Sequence, residues 1–308
     1  MGGSAVIRFI GDRGRPAAER IARAAENEAL RIERKFSRYR EESVVSKIAQ
    51  NAGRTPVAID EETVALIESA LDLARLTGGK FDPTAGVLRR AWDFKVPRVP
   101  RRDEIATLLA LVDHRAVSVR DGTVFLRRAG MELDLGGVGK EYAVDRVADL
   151  LVAMGVNSAI VNFAGDVRTI GGRGDGKPWS IGVADPRDSL RCRFAVRLIG
   201  GAGVATSGDY ERCFVHEGVR YHHLLDATTG YPARGVISAT VVAASAFLAG
   251  RIATAAFLLG TRDGLTLLES LPGIEGSLIA DDGVIASTSG MGRISDLPGS
   301  IYEEYPSL

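Results

Sequence analysis

Four stretches of the chain carry apolar residues at the spacing of three and four that is typical of amphipathic α-helices. In the first, apolar residues recur from Ile21 to Phe36, and Pro16 suits the first turn of a helix. Glycines follow closely behind the other three stretches and indicate where those helices end. The spacing therefore predicts helices over residues 16–36, 61–76, 140–154 and 246–259.

Short runs rich in β-branched residues lie between these helices. Asp121-Gly122 is a typical hairpin turn, and it predicts two strands at residues 116–119 and 124–127. Further strands are predicted at residues 159–163, 179–184, 194–199 and 237–243. Because helices and strands do not alternate strictly, the pattern predicts an α+β fold with mainly antiparallel strands. The best linker candidate, VPRVPRR at residues 96–102, has the length of a loop.

Composition excludes several classes of protein. The 308 residues include 39 Lys and Arg and 39 Asp and Glu, so the basic surplus of a dedicated nucleic-acid binder is missing. Two cysteines and four histidines are too few for a disulfide framework or a Cys/His zinc cluster, so any metal is expected on oxygen ligands. No apolar run is long enough for a membrane span. The chain as given is expected in the cytoplasm, or in the periplasm if an export signal was trimmed.

The segment GGVGK, at residues 136–140, is a glycine-rich turn before a helix. It is not a P-loop, because Asp134 stands in place of the first glycine and Glu141 in place of the magnesium-binding Ser or Thr. Free amide groups at such a helix start can bind an anion. A tight turn with close helix packing is the competing interpretation.

The densest polar cluster joins TSGDY, at residues 206–210, with YHHLLDATTGYP, at residues 221–232. Adjacent side chains of an extended segment point to opposite faces, so only one of His222 and His223 can enter a given site. Asp82 precedes a proline, which keeps it extended, and it serves either a site or only a turn. Tyr39 lies between two arginines, and its ring can stack on a planar ligand or complete the core.

Taken in order, these segments resemble the ApbE family, the FAD:protein FMN transferases, over almost the whole chain. The matching segments are Met1-Gly2-Gly3, IERKFSRYREESVVSKIAQNAG, GGKFDPTAGVLRRAWDF, LDLGGVGKEYAVDRVADLL, IVNFAGDV, PWSIGVADP, TSGDY, HLLDATTGYP and AGRIATAAFLLG. The resemblance implies one domain over residues 1–308. It also implies a magnesium-dependent transferase that cleaves FAD and attaches FMN, through a phosphoester, to a Thr or Ser of a partner protein.

Carried over position by position, the resemblance also implies roles for single residues. Met1 and Tyr39 are expected to line the flavin pocket. Contacts to the nucleotide are expected from Lys80, Phe81, Asp82, Asp134, Lys140 and the backbone of Leu225. These groups would bind FAD as the substrate. Neither a nucleic-acid partner nor a membrane span is expected.

The expected catalytic residue is His223, which matches the histidine of the family motif, whereas His222 does not. A neutral histidine suits the proton transfer that an attacking alcohol requires. The Gly137 carbonyl and the Thr254 side chain match metal ligands of the family.

This sequence departs from the family pattern where a metal-binding aspartate is expected one helical turn before Thr254. Gly250 stands there, so an anionic ligand is missing. Three alternatives stay open for the metal site: it is weak, it recruits another carboxylate, or it is lost. We expect activity to require high Mg²⁺, and Gly250→Asp to lower that requirement. Two alternatives stay open: an FAD pyrophosphatase that forms FMN and AMP, and an FAD-binding protein without catalysis. In the histidine motif, Ala227 replaces a proline, which removes no reacting group.

Overall fold

The computed structural model describes residues 4–11, 14–198 and 200–297 of the chain. The α-helices in these ranges are α1 (Gly14–Phe36), α2 (Val44–Gln50), α3 (Glu61–Leu76), α4 (Arg102–Leu109), α5 (Gly139–Ala153), α6 (Ala246–Leu259), α7 (Thr261–Ser270) and α8 (Met291–Ile294). The strands are β1 (Ala5–Phe9), β2 (Val57–Ala58), β3 (Val117–Arg120), β4 (Thr123–Leu126), β5 (Ala159–Phe163), β6 (Asp166–Ile170), β7 (Trp179–Asp185), β8 (Asp188–Leu198), β9 (Gly203–Gly208), β10 (Cys213–His216), β11 (Val219–His222), β12 (Leu225–Asp226), β13 (Tyr231–Pro232), β14 (Val236–Ala243), β15 (Glu275–Ala280) and β16 (Ile285–Ser287). Two short 3-10 helices lie at Gly86–Arg90 and His114–Ala116.

Seven strands form a central sheet in the order β1-β5-β6-β9-β14-β15-β16, and neighbouring strands run antiparallel. Every residue of β14 is buried, because both faces of the sheet are covered. On one face Val241 packs in the core that includes α6. On the other face Val242 packs with side chains of the β7–β8 hairpin. The hairpin and the helices therefore enclose the sheet from opposite sides.

The helices α1, α3 and α5 share the largest apolar core with β5. Salt bridges join their polar edges: Arg31 and Lys35 of α1 both bind the Glu62 carboxylate at the start of α3. The Tyr142 hydroxyl of α5 donates to the same carboxylate at 2.9 Å. These charged partners lower the pKa of Glu62 to about 2, with the Arg31 hydrogen bond contributing most.

The structure confirms the α+β architecture and the main predicted elements. Helices 61–76 and 246–259 have the predicted bounds, while α1 starts two residues earlier than predicted, at Gly14. The predicted hairpin is present, with Asp121 and Gly122 both at positive φ in its turn. The strand predicted at residues 194–199 is longer than expected, because β8 begins at Asp188 instead of Phe194. Its predicted last position, residue 199, lies outside the described ranges.

The linker candidate at residues 96–102 forms a loop that leads into α4. Its Pro100 carbonyl accepts a hydrogen bond from the Tyr231 hydroxyl at 3.2 Å, so the loop is docked on the β12–β13 ribbon. None of the helices in the described part of the chain combines the length and the apolar character that a membrane crossing requires.

Asp145 of α5 fixes how α5 and α6 pack. Its two carboxylate oxygens accept hydrogen bonds from the Ala246 and Phe247 amides, at 3.0 and 2.9 Å. The Ser245 hydroxyl accepts a third bond, from the Leu248 amide. Because the first amides of a helix have no partner within it, one helix here supplies the cap of the other.

We predict that Asp145→Ala lowers the free energy of unfolding by about 1–2 kcal/mol, the usual cost of removing a helix cap. Chemical denaturation measures this loss. The matched control is Asp149→Ala, one turn later on α5, where the side chain is exposed and pairs with Arg146. Equal stability of the two variants would contradict the capping role.

Candidate functional site

The start of α5 organises the site. The loop before it turns back on itself, with the Gly136 amide donating to Asp134 Oδ1 at 2.8 Å. A Cβ atom at Gly137 would lie 2.9 Å from Cε2 of Phe81, so the Phe81 ring packs directly on this glycine. The structure thus brings together three predicted site residues: Phe81, Asp134 and Gly137.

Tyr39 joins the same group through Arg38. The Arg38 guanidinium binds the Asp134 carboxylate and also donates to the Tyr39 hydroxyl at 3.0 Å. It lies 5.1 Å from the centre of the Tyr39 ring, yet that residue remains 74% exposed. A planar ligand can therefore reach this ring. Sequence analysis did not assign Arg38, although its position next to Tyr39 was a signal.

Lys80 lies beside the end of β12, the strand that carries Leu225. The Lys80 carbonyl accepts a hydrogen bond from the Ala227 amide at 2.8 Å, immediately after β12. The Lys80 ammonium, however, donates to the Leu258 carbonyl at the end of α6, at 3.1 Å. This bond is favourable for a cation at a helix C-terminus, and a nucleotide would have to compete with it.

Asp82 is buried and its acceptor capacity is filled by the protein. Oδ1 accepts hydrogen bonds from the Thr84 amide and hydroxyl. Oδ2 accepts from the His114 amide at 2.8 Å and contacts His114 Nδ1 at 2.9 Å. The observed task of Asp82 is therefore to hold the Phe81 loop against the His114 turn. Sequence analysis did not single out His114.

Two acidic side chains, Glu141 and Asp166, lie at the first turn of α5. The Lys140 ammonium pairs with Oδ2 of Asp166, the first residue of β6, at 2.7 Å. Burial, reinforced by the Asp166 carboxylate, raises the pKa of Glu141 well above its ordinary value. Burial opposes the charge of Lys140, but the two carboxylates outweigh it and raise the pKa of its ammonium.

Thr254 is buried on α6, and its hydroxyl lies 3.2 Å from the hydroxyl of Ser207 on β9. Within the described ranges, no three His, Cys, Asp or Glu side chains come together as a metal-binding group. A metal in this region would therefore need hydroxyl or carbonyl oxygens beside a carboxylate. Those are the ligands that Mg²⁺ prefers.

The two adjacent histidines have different surroundings. His222 Nε2 contacts the Ala233 carbonyl at 3.0 Å, and its ring packs edge-on against Phe257. Burial lowers the pKa of His222 to about 4. Burial, with added repulsion from Arg212, His222 and Lys140, lowers the pKa of His223 to about 3.

Both imidazoles are therefore neutral at pH 7. Among the described residues, His223 Nδ1 has no hydrogen-bond partner, although its backbone amide donates to the Arg212 carbonyl. The Lys140 ammonium, on the second residue of α5, is near enough to His223 to contribute to the lowering of its pKa. Met1, expected at the flavin pocket, lies outside the described residues.

Comparison with known proteins identifies relatives over nearly the whole chain. The profile of the ApbE family matches residues 1–278. A FAD:protein FMN transferase from Treponema pallidum (strain Nichols) is 34% identical over 299 residues, which covers 90% of this chain and 82% of the relative. One from Klebsiella pneumoniae (strain 342) is 35% identical over 241 residues, with 77% and 74% covered.

Solved structures agree with the sequence comparison. The ApbE protein from Thermotoga maritima superposes with a TM-score of 0.85 at 38% identity and covers 94% of each chain. The flavin transferase ApbE from Vibrio cholerae gives a TM-score of 0.83 at 29% identity, with 94% of this chain and 95% of that chain covered.

The buried histidines predict that acid destabilises the protein. An unfolded histidine binds a proton below about pH 6.5, whereas folded His222 binds one only near pH 4. The free energy of unfolding should therefore fall as the pH drops below 6.5, with His222 contributing roughly 2 kcal/mol between pH 7 and pH 5. In the His222→Gln variant the glutamine amide can still donate to the Ala233 carbonyl, and the free energy of unfolding should fall less over that pH range. Urea denaturation at both pH values measures this, and identical losses in the two proteins would contradict it.

Proposed function

The chain belongs to the ApbE family, and we propose that it acts as a FAD:protein FMN transferase whose reaction takes place at the start of α5. The observation that carries this proposal is the convergence of an exposed aromatic ring, a lysine and a neutral histidine around that helix end. Relatives that match this chain over most of their length are named FAD:protein FMN transferases.

We place the flavin ring of FAD beside Tyr39. Stacking is favourable there, because the ring is exposed and Arg38 holds its hydroxyl. Phe81 and Asp134 would flank the ligand from the loop before α5, with Lys80 and the Leu225 backbone on the side of the β12–β13 ribbon. Asp82 contributes by holding this loop in place through His114 and Thr84.

The pyrophosphate of FAD would lie at the N-terminus of α5. The N-cap residue Val138 makes no side-chain cap, the helix dipole favours an anion there, and Lys140 adds a positive charge. Buried oxygen donors fit Mg²⁺, with the Gly137 carbonyl and the Thr254 hydroxyl as neutral ligands. When bound, Mg²⁺ would neutralise charge on the non-bridging phosphate oxygens.

The proton acceptor we propose is His223. Its ring is neutral at pH 7, so it can receive the proton of an attacking hydroxyl. Bound phosphates would raise the pKa of this imidazole, because nearby negative charge favours its protonated form. His222 is held by Ala233 and Phe257 on the other side of the strand and has a packing role.

The partner protein supplies a Thr or Ser hydroxyl. Its oxygen forms a bond to the phosphorus of the FMN half, and the bond from that phosphorus to the oxygen of the AMP phosphate breaks. The proton passes to His223, AMP leaves, and the FMN phosphoester remains on the acceptor. Water in place of the hydroxyl would give FMN and AMP.

Incubation with FAD, Mg²⁺ and candidate acceptor proteins tests the function directly. A transferase yields AMP together with an acceptor whose mass has increased by one FMN phosphoester. A pyrophosphatase yields AMP and free FMN, and a binding protein leaves FAD intact. Either of the last two results, obtained with every acceptor, would overturn the proposal.

We predict that His223→Ala lowers the rate of FMN transfer by about 10²-fold or more, the usual contribution of a general base. Affinity for FAD should stay within a few-fold, since the ring is not assigned a binding contact. His222→Gln is the control and should keep most of the activity. Similar losses in both variants would refute the assignment of His223.

A second prediction concerns the flavin pocket. Tyr39→Ala should weaken FAD binding by about 1–3 kcal/mol, the range measured for bases stacked on aromatic side chains. Tyr39→Phe keeps the ring and should bind nearly as well as the original protein. Fluorescence titration of FAD measures both, and unchanged affinity in the alanine variant would remove Tyr39 from the pocket.

A further inference from the structure

Glu141 fills the space beside Gly250, the position where the family pattern places an aspartate. A Cβ atom built on Gly250 would lie 2.9 Å from Cδ and 3.1 Å from Oε1 of Glu141, and closer still to Cγ. A larger residue at position 250 therefore requires Glu141 to move. The carboxyl group that α6 lacks is present in the same volume, but it comes from α5.

This carboxyl group is buried against a second acidic side chain. Glu141 is 8% exposed, and within the described part of the chain its Oε2 atom accepts no hydrogen bond. The second acid is Asp166, whose carboxyl group faces Glu141 and also pairs with Lys140. Two carboxyl groups buried side by side repel each other when both are ionised, so they hold either a proton or a bound cation between them.

The packing of the two helices places this carboxyl group near neutral oxygen donors. Asp145 of α5 contacts Ala246 of α6. One turn earlier on α5 and one turn later on α6, Glu141 contacts Gly250. Thr254 lies one further turn along α6, and Gly137 lies in the loop two residues before α5 begins. The Ser207 hydroxyl lies 3.2 Å from that of Thr254, so two hydroxyl oxygens lie about one turn of α6 from the contact between Glu141 and Gly250.

We propose that Glu141 supplies the carboxylate ligand of a Mg²⁺ site completed by Gly137 and Thr254, in place of a carboxylate at position 250. This inference rests on the proposed function only for the identity of the metal. It replaces the expectation that Gly250→Asp alone improves the site, because that change would force two carboxyl groups into one volume.

The test measures Mn²⁺ binding by electron paramagnetic resonance and calorimetry at pH 7, with and without FAD. Mn²⁺ is a spectroscopic substitute that takes the same oxygen ligands as Mg²⁺. We expect Glu141→Gln, which keeps the size and removes the charge, to weaken binding at least tenfold without lowering the melting temperature. Asp149→Asn, on the exposed side of α5, is the matched control and should bind as the original protein does.

An exchange of the two positions sharpens the test. Glu141→Ala combined with Gly250→Asp returns the carboxylate from α5 to α6 and should regain most of the affinity that Glu141→Gln loses. Gly250→Asp alone should lower the melting temperature and gain no affinity. Unchanged Mn²⁺ binding in Glu141→Gln, or no binding by the original protein in either condition, would overturn the proposal.

The transfer assay separates this inference from the proposed function. A protein that binds Mn²⁺ through Glu141 but transfers no FMN keeps the metal assignment and loses the function. A protein that transfers FMN while Glu141→Gln binds Mn²⁺ normally keeps the function and loses the metal assignment.

Discussion

Asp145 accepts hydrogen bonds from the first two amides of α6, so the N-terminus of one helix is held on the side of another. Because helix faces repeat every three to four residues, this fixed point determines which residues of α5 and α6 meet one turn away. Glu141 meets Gly250 there, next to the segment that carries Thr254. This register places the Glu141 carboxyl group beside the segment of α6 that carries Thr254, and neither helix could do this alone.

Much of the fold was predictable from spacing, because α1, α3 and α6 bury apolar faces that few polar residues interrupt. Strand β8 was cut short in the prediction because its first half is charged and exposed, while its pairing with β7 comes from backbone bonds that carry no side-chain signal. Helix α7 was not predicted, since a glycine and several polar residues weaken its apolar periodicity.

The site was predictable only where its chemistry is local in sequence. The choice of His223 over His222 followed from the family motif, and strand parity added only that one of the two rings can enter a given site. The pairing of Arg38 with Asp134 spans 96 residues, and that of His114 with Asp82 spans 32. A single sequence holds no record of such pairs. For the same reason, the missing carboxylate at position 250 could be noticed, but its neighbour Glu141 could not be identified.

The shared volume of Glu141 and Gly250 also constrains how related sequences can vary. A long side chain at position 141 leaves room only for glycine at 250, whereas a small residue at 141 frees that room. The two positions therefore form one unit of variation, and substitutions at them are expected to be correlated among relatives. A motif search that inspects position 250 alone would class this chain as defective, although the acidic group has only changed helices.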